Sequence, residues 1–242
     1  MQHFQHIDAI TFDFFNTLVR HRGGEGRGLK VMEYLQAQSL ASDPWEHSVL
    51  YHVFEPHGRE YSPTLPRVQK DRYCVRVTER LFERLKVRVW LNEAAQHAIR
   101  IWELIGPDSL DVFPDVHAAL TPLRAAGYRL AVVSNWQCGL QHFCAELGLA
   151  NYFHEILASA EVNSEKPDAR IFAEACRRLG VTPQRTLHVG DTFRDDVEGA
   201  GSAGLHALLI CRGINESAKE ISTISNLQEL PPLLGVRDGR SP

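Results

Sequence analysis

An apolar run, Ile7-Asp8-Ala9-Ile10-Thr11-Phe12, ends at Asp13 and is followed at once by a compact turn, Phe14-Phe15-Asn16-Thr17-Leu18. A short apolar run closed by a turn predicts a buried strand, here with a carboxylate at its end. From Phe113-Pro114-Asp115 onward the pattern alternates strictly between strand and helix. Val116 to Ala126 reads as a helix stopped by Gly127, and Arg129 to Ser134 as the buried strand it enters. A helix over Leu140 to Leu147 follows, then a strand over Glu155 to Ala158. In the helix over Asp168 to Leu179, the residues Ile171, Phe172, Ala175, Cys176 and Leu179 form an apolar stripe. Thr186 to Val189 and Ala207 to Ile210 are the last two strands predicted. Such alternation favours a doubly wound parallel sheet with right-handed crossovers, whose ligands bind beyond the carboxyl ends of the strands.

Between these parts, Leu29 to Ile105 has a helical rather than a strand pattern. Val68, Val75, Leu81, Phe82 and Leu85 share one face, and Ala94, Ala98, Trp102 and Ile105 another. Asp43-Pro44-Trp45-Glu46 carries an N-cap, a proline at the first helical position and a glutamate placed for a capping box, so a further short helix is predicted there. The segment reads as a small helical bundle. It is entered through the glycine-rich joint Arg22 to Gly28 and closed by Gly106-Pro107-Asp108 and Phe113-Pro114-Asp115.

With 242 residues, 44% hydrophobic and 23% charged, the chain has ordinary globular composition and length enough for one sizeable core. A net charge of -4 and a pI near 6.3 supply no broad basic field, so nucleic acid is not an expected partner. Cys74, Cys138, Cys144, Cys176 and Cys211 are odd in number and lack C-x-x-C spacing, which argues for reduced thiols over a disulfide framework or a structural zinc site. No run is long enough to span a bilayer and no secretory signal is readable, so the expectation is a cytoplasmic protein without membrane contact.

The polar residues at strand ends change the picture. Asp13, Ser134, Lys166 and the Asp191/Asp196 pair all lie at or just beyond predicted strands or before predicted helices. Singly, the serine is a turn residue, the lysine a solvated charge and the aspartates a helix cap. Together, three carboxylates converging on one crevice repel one another unless a cation sits among them.

These residues also fall in recognisable motifs. Asp13-Phe14-Phe15-Asn16-Thr17-Leu18, Val132-Val133-Ser134-Asn135, Lys166-Pro167-Asp168 and Gly190 to Asp196 resemble, in order, the four motifs of the haloacid dehalogenase (HAD) superfamily of aspartyl-nucleophile hydrolases. The resemblance covers roughly two thirds of the chain. It implies a Rossmann-like α/β core at residues 1–18 and 107–242, with an inserted α-helical cap domain at 19–106. It further implies a phosphohydrolase that acts on a small phosphorylated metabolite through a covalent aspartyl intermediate. In that reading Asp13 is the nucleophile, and Asp13, the Phe15 backbone carbonyl, Asp191 and Asp196 hold Mg2+. Ser134, Asn135 and Lys166 engage the phosphoryl group, and Lys166 also offsets the charge on Asp13.

The chain departs from the family pattern at two positions. Family phosphatases place a second aspartate two residues after the nucleophile, to protonate the leaving oxygen, where this chain has Phe15. Loss of a general acid typically lowers rate by about 10²–10⁴-fold. Asn16 replaces the usual glycine, a change compatible with asparagine's tolerance of unusual backbone angles. An aromatic at position 15 is similar to the 2-haloacid dehalogenases, whereas Asp191 and Asp196 argue for a metal and phosphate. A carbon-halogen hydrolase and a catalytically impaired phospho-ligand binder therefore stand as alternatives. His21, between Arg20 and Arg22, is a candidate replacement donor or else a solvated basic turn. Trp136 and Gln137 are expected at the mouth of the crevice, whereas Tyr34, Trp45, Tyr51, Tyr61, Tyr73, Trp90 and Trp102 line a pocket or belong to a helical core. Monomer and homodimer both remain open.

Overall fold

The computed structural model describes residues 4, 6–22, 27–40, 67–88, 91–106, 109–136, 139–212 and 222–236. Strand β1 (Ala9–Phe12) is followed by the short β2 (Val19–His21), then by helices α1 (Arg27–Ala37), α2 (Arg67–Arg84) and α3 (Leu91–Ile105). The chain returns through β3 (Leu110–Val112) and continues as α4 (Val116–Ala125), β4 (Arg129–Ser134), α5 (Leu140–Glu146), β5 (Glu155–Ala158), α6 (Ser159–Val162), α7 (Ala169–Leu179) and β6 (Thr186–Gly190). A wide π-type turn (Phe193–Glu198), α8 (Gly199–Ser202), β7 (His206–Ile210), β8 (Thr223–Ile224) and α9 (Leu230–Leu233) complete the order.

Among the described residues, the main sheet has six parallel strands in the order β5-β4-β1-β6-β7-β8. Every residue of β1 and of β6 is buried, as expected of central parallel strands covered on both faces. One face carries Ile10, Phe12, Leu130, Val132, Leu187 and Val189 against Leu120 and Leu123 of α4 and Phe143 of α5. The other carries Val133 and Leu157 against Ile171, Phe172, Ala175 and Cys176 of α7, which is the predicted stripe. Asp168 caps α7 by accepting from the Arg170 amide at 2.9 Å, and Gly180 ends the helix at φ 64°. Gly127, at φ 88°, follows α4 as its sequence position predicts.

Two features depart from the expected organisation. Val19–His21 and Leu110–Val112 pair antiparallel as a separate ribbon, with Val19 opposite Val112 and His21 opposite Leu110. It joins the two ends of the helical segment side by side. The sheet also ends one strand later than predicted, because Thr223–Ile224 adds to Leu209 and Ile210 of β7. Strands of two or three residues have too few alternating positions to stand out from loops.

Within the helical segment, Leu81, Phe82, Ala94 and Ala98 are buried as the pattern predicts, together with Val31, Leu35 and Ile101. The Tyr34 hydroxyl lies 2.7 Å from His97 Nδ1, and the two rings meet edge on, so this aromatic joins helices α1 and α3. The helix predicted at Asp43, the residues Trp45, Tyr51, Tyr61 and Trp90, and the side chains of Val68, Tyr73, Trp102 and Ile105 lie outside what is described. Cys144 and Cys176 are buried thiols, and burial pushes Cys144 up to about 12, which keeps it protonated and inert. Among the described residues, no helix is long and apolar enough to cross a membrane.

Candidate active site

Parallel register brings the motif residues to one lip of the sheet. Phe12 is aligned with Val132 on one side and Val189 on the other, and the Asp13 amide extends the ladder by donating to the Val189 carbonyl at 2.9 Å. Asp13 therefore stands level with the ends of β4 and β6, where Ser134 and Gly190 terminate their strands. Asp191 follows directly. Oxygens of Asp13, Asp191 and Asp196 lie within 4.8 Å of one another.

Lys166 reaches into this group from the loop before α7. Its Nζ donates to Asp13 Oδ1 at 2.6 Å and to Asp196 Oδ1 at 2.5 Å, and all three residues are at most 6% exposed. The surface-charge reading of Lys166 is thereby excluded. Asn135 holds the lysine's main chain at both ends: its Nδ2 donates to the Lys166 carbonyl at 2.9 Å, and its Oδ1 accepts from the Lys166 amide at 2.7 Å. Through these two bonds Asn135 fastens the Lys166 loop to the end of β4.

The π-type turn explains how Asp196 reaches the same point. Widening the helical turn over Phe193–Glu198 directs Asp196 back over the end of β6, where its Oδ2 accepts from the Thr192 amide at 2.9 Å. The carboxylate then lies directly above Gly190. A Cβ at that position would be 2.1 Å from Asp196 Cγ, far inside contact distance. Gly190→Ala is expected to push Asp196 away from Lys166, lowering stability by about 1–3 kcal/mol and activity with it, as thermal melting and turnover measured together would register.

The electrostatics follow from burial and this sharing. Burial works against charge on both Lys166 and Asp196; the two carboxylates outweigh it and hold the Lys166 ammonium well above its usual range, and Lys166 and His188 hold Asp196 well below its own. Burial raises Asp13, with Lys166 opposing. Asp191 is offset less: burial and the nearby Asp13 and Asp196 push it up to about 7, against a hydrogen bond from the Asn16 side chain and the charge of Lys166. Three carboxylates and one ammonium leave an excess of negative charge among oxygen donors alone, which fits a hard divalent cation.

The walls of the crevice differ from expectation. Asn16 has φ 59°, consistent with its place where the family has glycine. His21 is no solvated turn residue: it is 4% exposed, in β2, with its ring centroid 4.9 Å from that of Phe15. Trp136 is only 5% exposed, packed edge on against Phe14 at 5.2 Å and Phe143 at 5.4 Å, so its ring belongs to the core; Gln137 lies outside the described residues. Beyond β7, Arg212 donates to the Thr17 carbonyl from Nε at 3.0 Å and grips both Asp115 oxygens from Nη1 at 3.0 and 3.1 Å, with its guanidinium 3.7 Å from the Phe113 ring centroid. It ties the Asp13–Thr17 turn to the chain returning from the helical segment.

Three residues escaped the sequence pattern. Arg212 has no motif around it. Thr11 and His188 are polar members of otherwise apolar strands, both wholly buried and directly opposite one another in the β1–β6 register. The signal was present: a buried histidine two residues before Gly190 and a buried threonine two residues before Asp13. Only the strand pairing shows that they meet.

A doubly wound α/β sheet whose lip carries a lysine held between two buried acids defines an enzyme of the hydrolase class, in agreement with known proteins. The chain belongs to the haloacid dehalogenase-like hydrolase family, whose model matches residues 7–204. It is 31% identical over 247 residues to a glyceraldehyde 3-phosphate phosphatase of Methanothermobacter thermautotrophicus, a match covering 94% of this chain and 100% of the relative. It is 32% identical over 265 residues to haloacid dehalogenase-like hydrolase domain-containing protein 3 of Mus musculus, covering 100% of this chain and 99% of that one. Among solved structures, a 2-haloacid dehalogenase from Pseudomonas syringae superposes with a TM-score of 0.65 at 26% identity, over 95% of this chain and 98% of the other.

Proposed function

We propose that this hydrolase is a Mg2+-dependent phosphohydrolase of a small phosphorylated metabolite, working through a covalent intermediate on Asp13. The observation that carries the reading is Lys166 held between Asp13 and Asp196, with the Asp191 carboxyl close beside them. Asp13, the Phe15 carbonyl, Asp191 and Asp196 would hold the ion, which when bound neutralises charge on the carboxylates and on the phosphoryl oxygens. Lys166 engages Asp13 Oδ1, and attack on phosphorus is assigned to Oδ2. An oxygen–phosphorus bond forms as the bond from phosphorus to the leaving oxygen breaks. Water then attacks phosphorus, releasing phosphate and restoring the carboxylate. Ser134 and Lys166 contact the phosphoryl oxygens, with Asn135 positioning Lys166. The helical segment of residues 19–106 acts as a cap that selects substrate, the ribbon of β2 and β3 forming its base.

Phe15 supplies no proton, so the leaving oxygen takes one from water, from the cap side of the crevice or from none when the leaving group is a good one. Phosphate release is therefore expected to rise with leaving-group acidity, and Phe15→Asp is expected to preserve or increase hydrolysis of alkyl phosphates, by up to about 10²-fold where the carboxyl is tolerated. A release screen with and without Mg2+ tests the function; metal-independent halide release from 2-haloacids would instead favour the dehalogenase reading that Phe15 suggests.

The raised Asp191 sets a sign for pH. Its folded value of about 7 lies above the ordinary 3.8, so its contribution to the stability of the metal-free protein is full below the ordinary value and is lost as pH rises towards 7. Mg2+ needs the ionised group. The rise in melting temperature on adding Mg2+ is expected to be larger near neutral pH than at about pH 5, in a thermal-shift series.

A further inference from the structure

Beneath the charged lip lies a second polar layer that the chemistry above does not use. The Thr11 hydroxyl is 2.8 Å from His188 Nδ1, and His188 Nε2 is 3.0 Å from Asp196 Oδ1. Both residues have no exposed surface, so no bulk water replaces either contact. The Phe172 ring stands edge on to the imidazole, with centroids 5.0 Å apart at 81°, and holds its plane. Apolar residues of the same volume would fill this space between β1 and β6, as they do elsewhere in the sheet, and would avoid burying two polar groups.

Hydrogen-bond accounting fixes the direction. Asp196 as a carboxylate only accepts, so the nitrogen facing it, Nε2, carries a proton. Full burial favours the neutral ring, in which Nδ1 accepts the proton of the Thr11 hydroxyl. We infer that Thr11 and His188 are positioning residues: Thr11 holds His188 in its Nε2–H form, and His188 anchors Asp196 Oδ1 so that Lys166 is shared with Asp13 instead of being captured by Asp196. Without the imidazole, Oδ1 is left with Lys166 alone while Oδ2 keeps the Thr192 amide, and Oδ1 then competes more strongly with Asp13 for the ammonium. Asp13 then loses the contact that orients it.

This inference rests on the phosphohydrolase reading for its kinetic consequence, though not for its geometry. Thr11→Val keeps shape and removes the hydroxyl, His188→Gln offers an amide donor near the Nε2 position, and His188→Leu offers none. On the full chain, with a substrate found in the release screen, His188→Leu is expected to lower kcat by about 10–100-fold. The loss should fall more on kcat than on KM, since Ser134 keeps its phosphoryl contact while Lys166 shifts. His188→Gln should recover most of the loss, and Thr11→Val should fall between. Side-chain 15N NMR of the wild-type protein should show His188 protonated at Nε2 and unprotonated at Nδ1. A ring protonated at Nδ1 overturns the inference, as does a folded His188→Leu with wild-type kcat, or a folded His188→Gln no better than a folded His188→Leu. If His188→Leu does not fold, Thr11→Val and the NMR signature decide. A wild-type chain with no turnover counts against the phosphohydrolase reading, and the ring's protonation then decides this one alone.

Discussion

Asp13→Asn is expected to reduce phosphate release by on the order of 10⁴-fold or more while leaving the fold in place. The amide is nearly the same size as the carboxylate, and its main chain stays fixed by the Asp13 amide bond to Val189 at 2.9 Å. The loss is chemical, since a carboxamide oxygen is a poor nucleophile at phosphorus. Lys166 keeps its second partner, Asp196, so one ion pair remains around the buried ammonium. Melting temperature should therefore change little, and this separates the nucleophile from residues whose removal damages the site by disorganising it. Turnover and melting measured on one preparation make the distinction.

Lys166→Met is the second large effect, and here stability and activity fall together. The substitution removes the cation from between two acids that are 6% and 1% exposed, and breaking a buried pair by removing one partner typically destabilises by about 3–5 kcal/mol. The pH dependence carries a sign that packing loss alone would not produce. In the native protein, Asp196 is held below its ordinary value by Lys166 and His188; its stabilising contribution is present above that ordinary value and is lost as pH falls through the folded one. In Lys166→Met, Asp13 loses the cation that opposes its rise, and Asp196 keeps only His188 and the Thr192 amide to hold it down. Asp13 is then stabilising in its protonated form, present at acid pH and lost as pH rises, and less of the Asp196 contribution remains at neutral pH. The gap in melting temperature between the two proteins should thus narrow on acidification from neutral towards about pH 4, and a constant gap would assign the loss to packing.

The parts of the fold legible in sequence were those where pattern and punctuation coincide. Arg129–Ser134 is legible as a strand because the apolar run Leu130-Ala131-Val132-Val133 lies between the Gly127 stop and the polar pair Ser134-Asn135, and α7 is visible through its stripe and its Asp168 cap. The π-type turn was not legible. Its residues, Phe193-Arg194-Asp195-Asp196-Val197-Glu198, have no feature that separates a wide turn from an α-helical one, and its form depends on the Asp196 carboxylate seating above Gly190. In the site, Asp13, Ser134 and Asp191 could be placed at strand ends because a parallel sheet aligns those ends, and Lys166 in the loop before a helix. Contacts that cross from one motif to another were hidden. The clamp of Asn135 on the Lys166 main chain joins positions 31 residues apart, and the contact of Thr11 with His188 joins positions 177 apart. Trp136 shows the same limit in reverse: beside Ser134 and Asn135 it looked like a mouth residue, and three-dimensional packing placed it among Phe14 and Phe143.

The assignment of Asp13 as the attacking group is open to direct measurement. The wild-type chain would be mixed with Mg2+ and a turned-over phosphate ester, quenched in acid during the first turnover, digested and mapped by mass spectrometry. A phosphoryl adduct on the peptide bearing Asp13, absent from Asp13→Asn, is the predicted result. Phosphate release that continues in Asp13→Asn, with no adduct on that peptide in either protein, would contradict it.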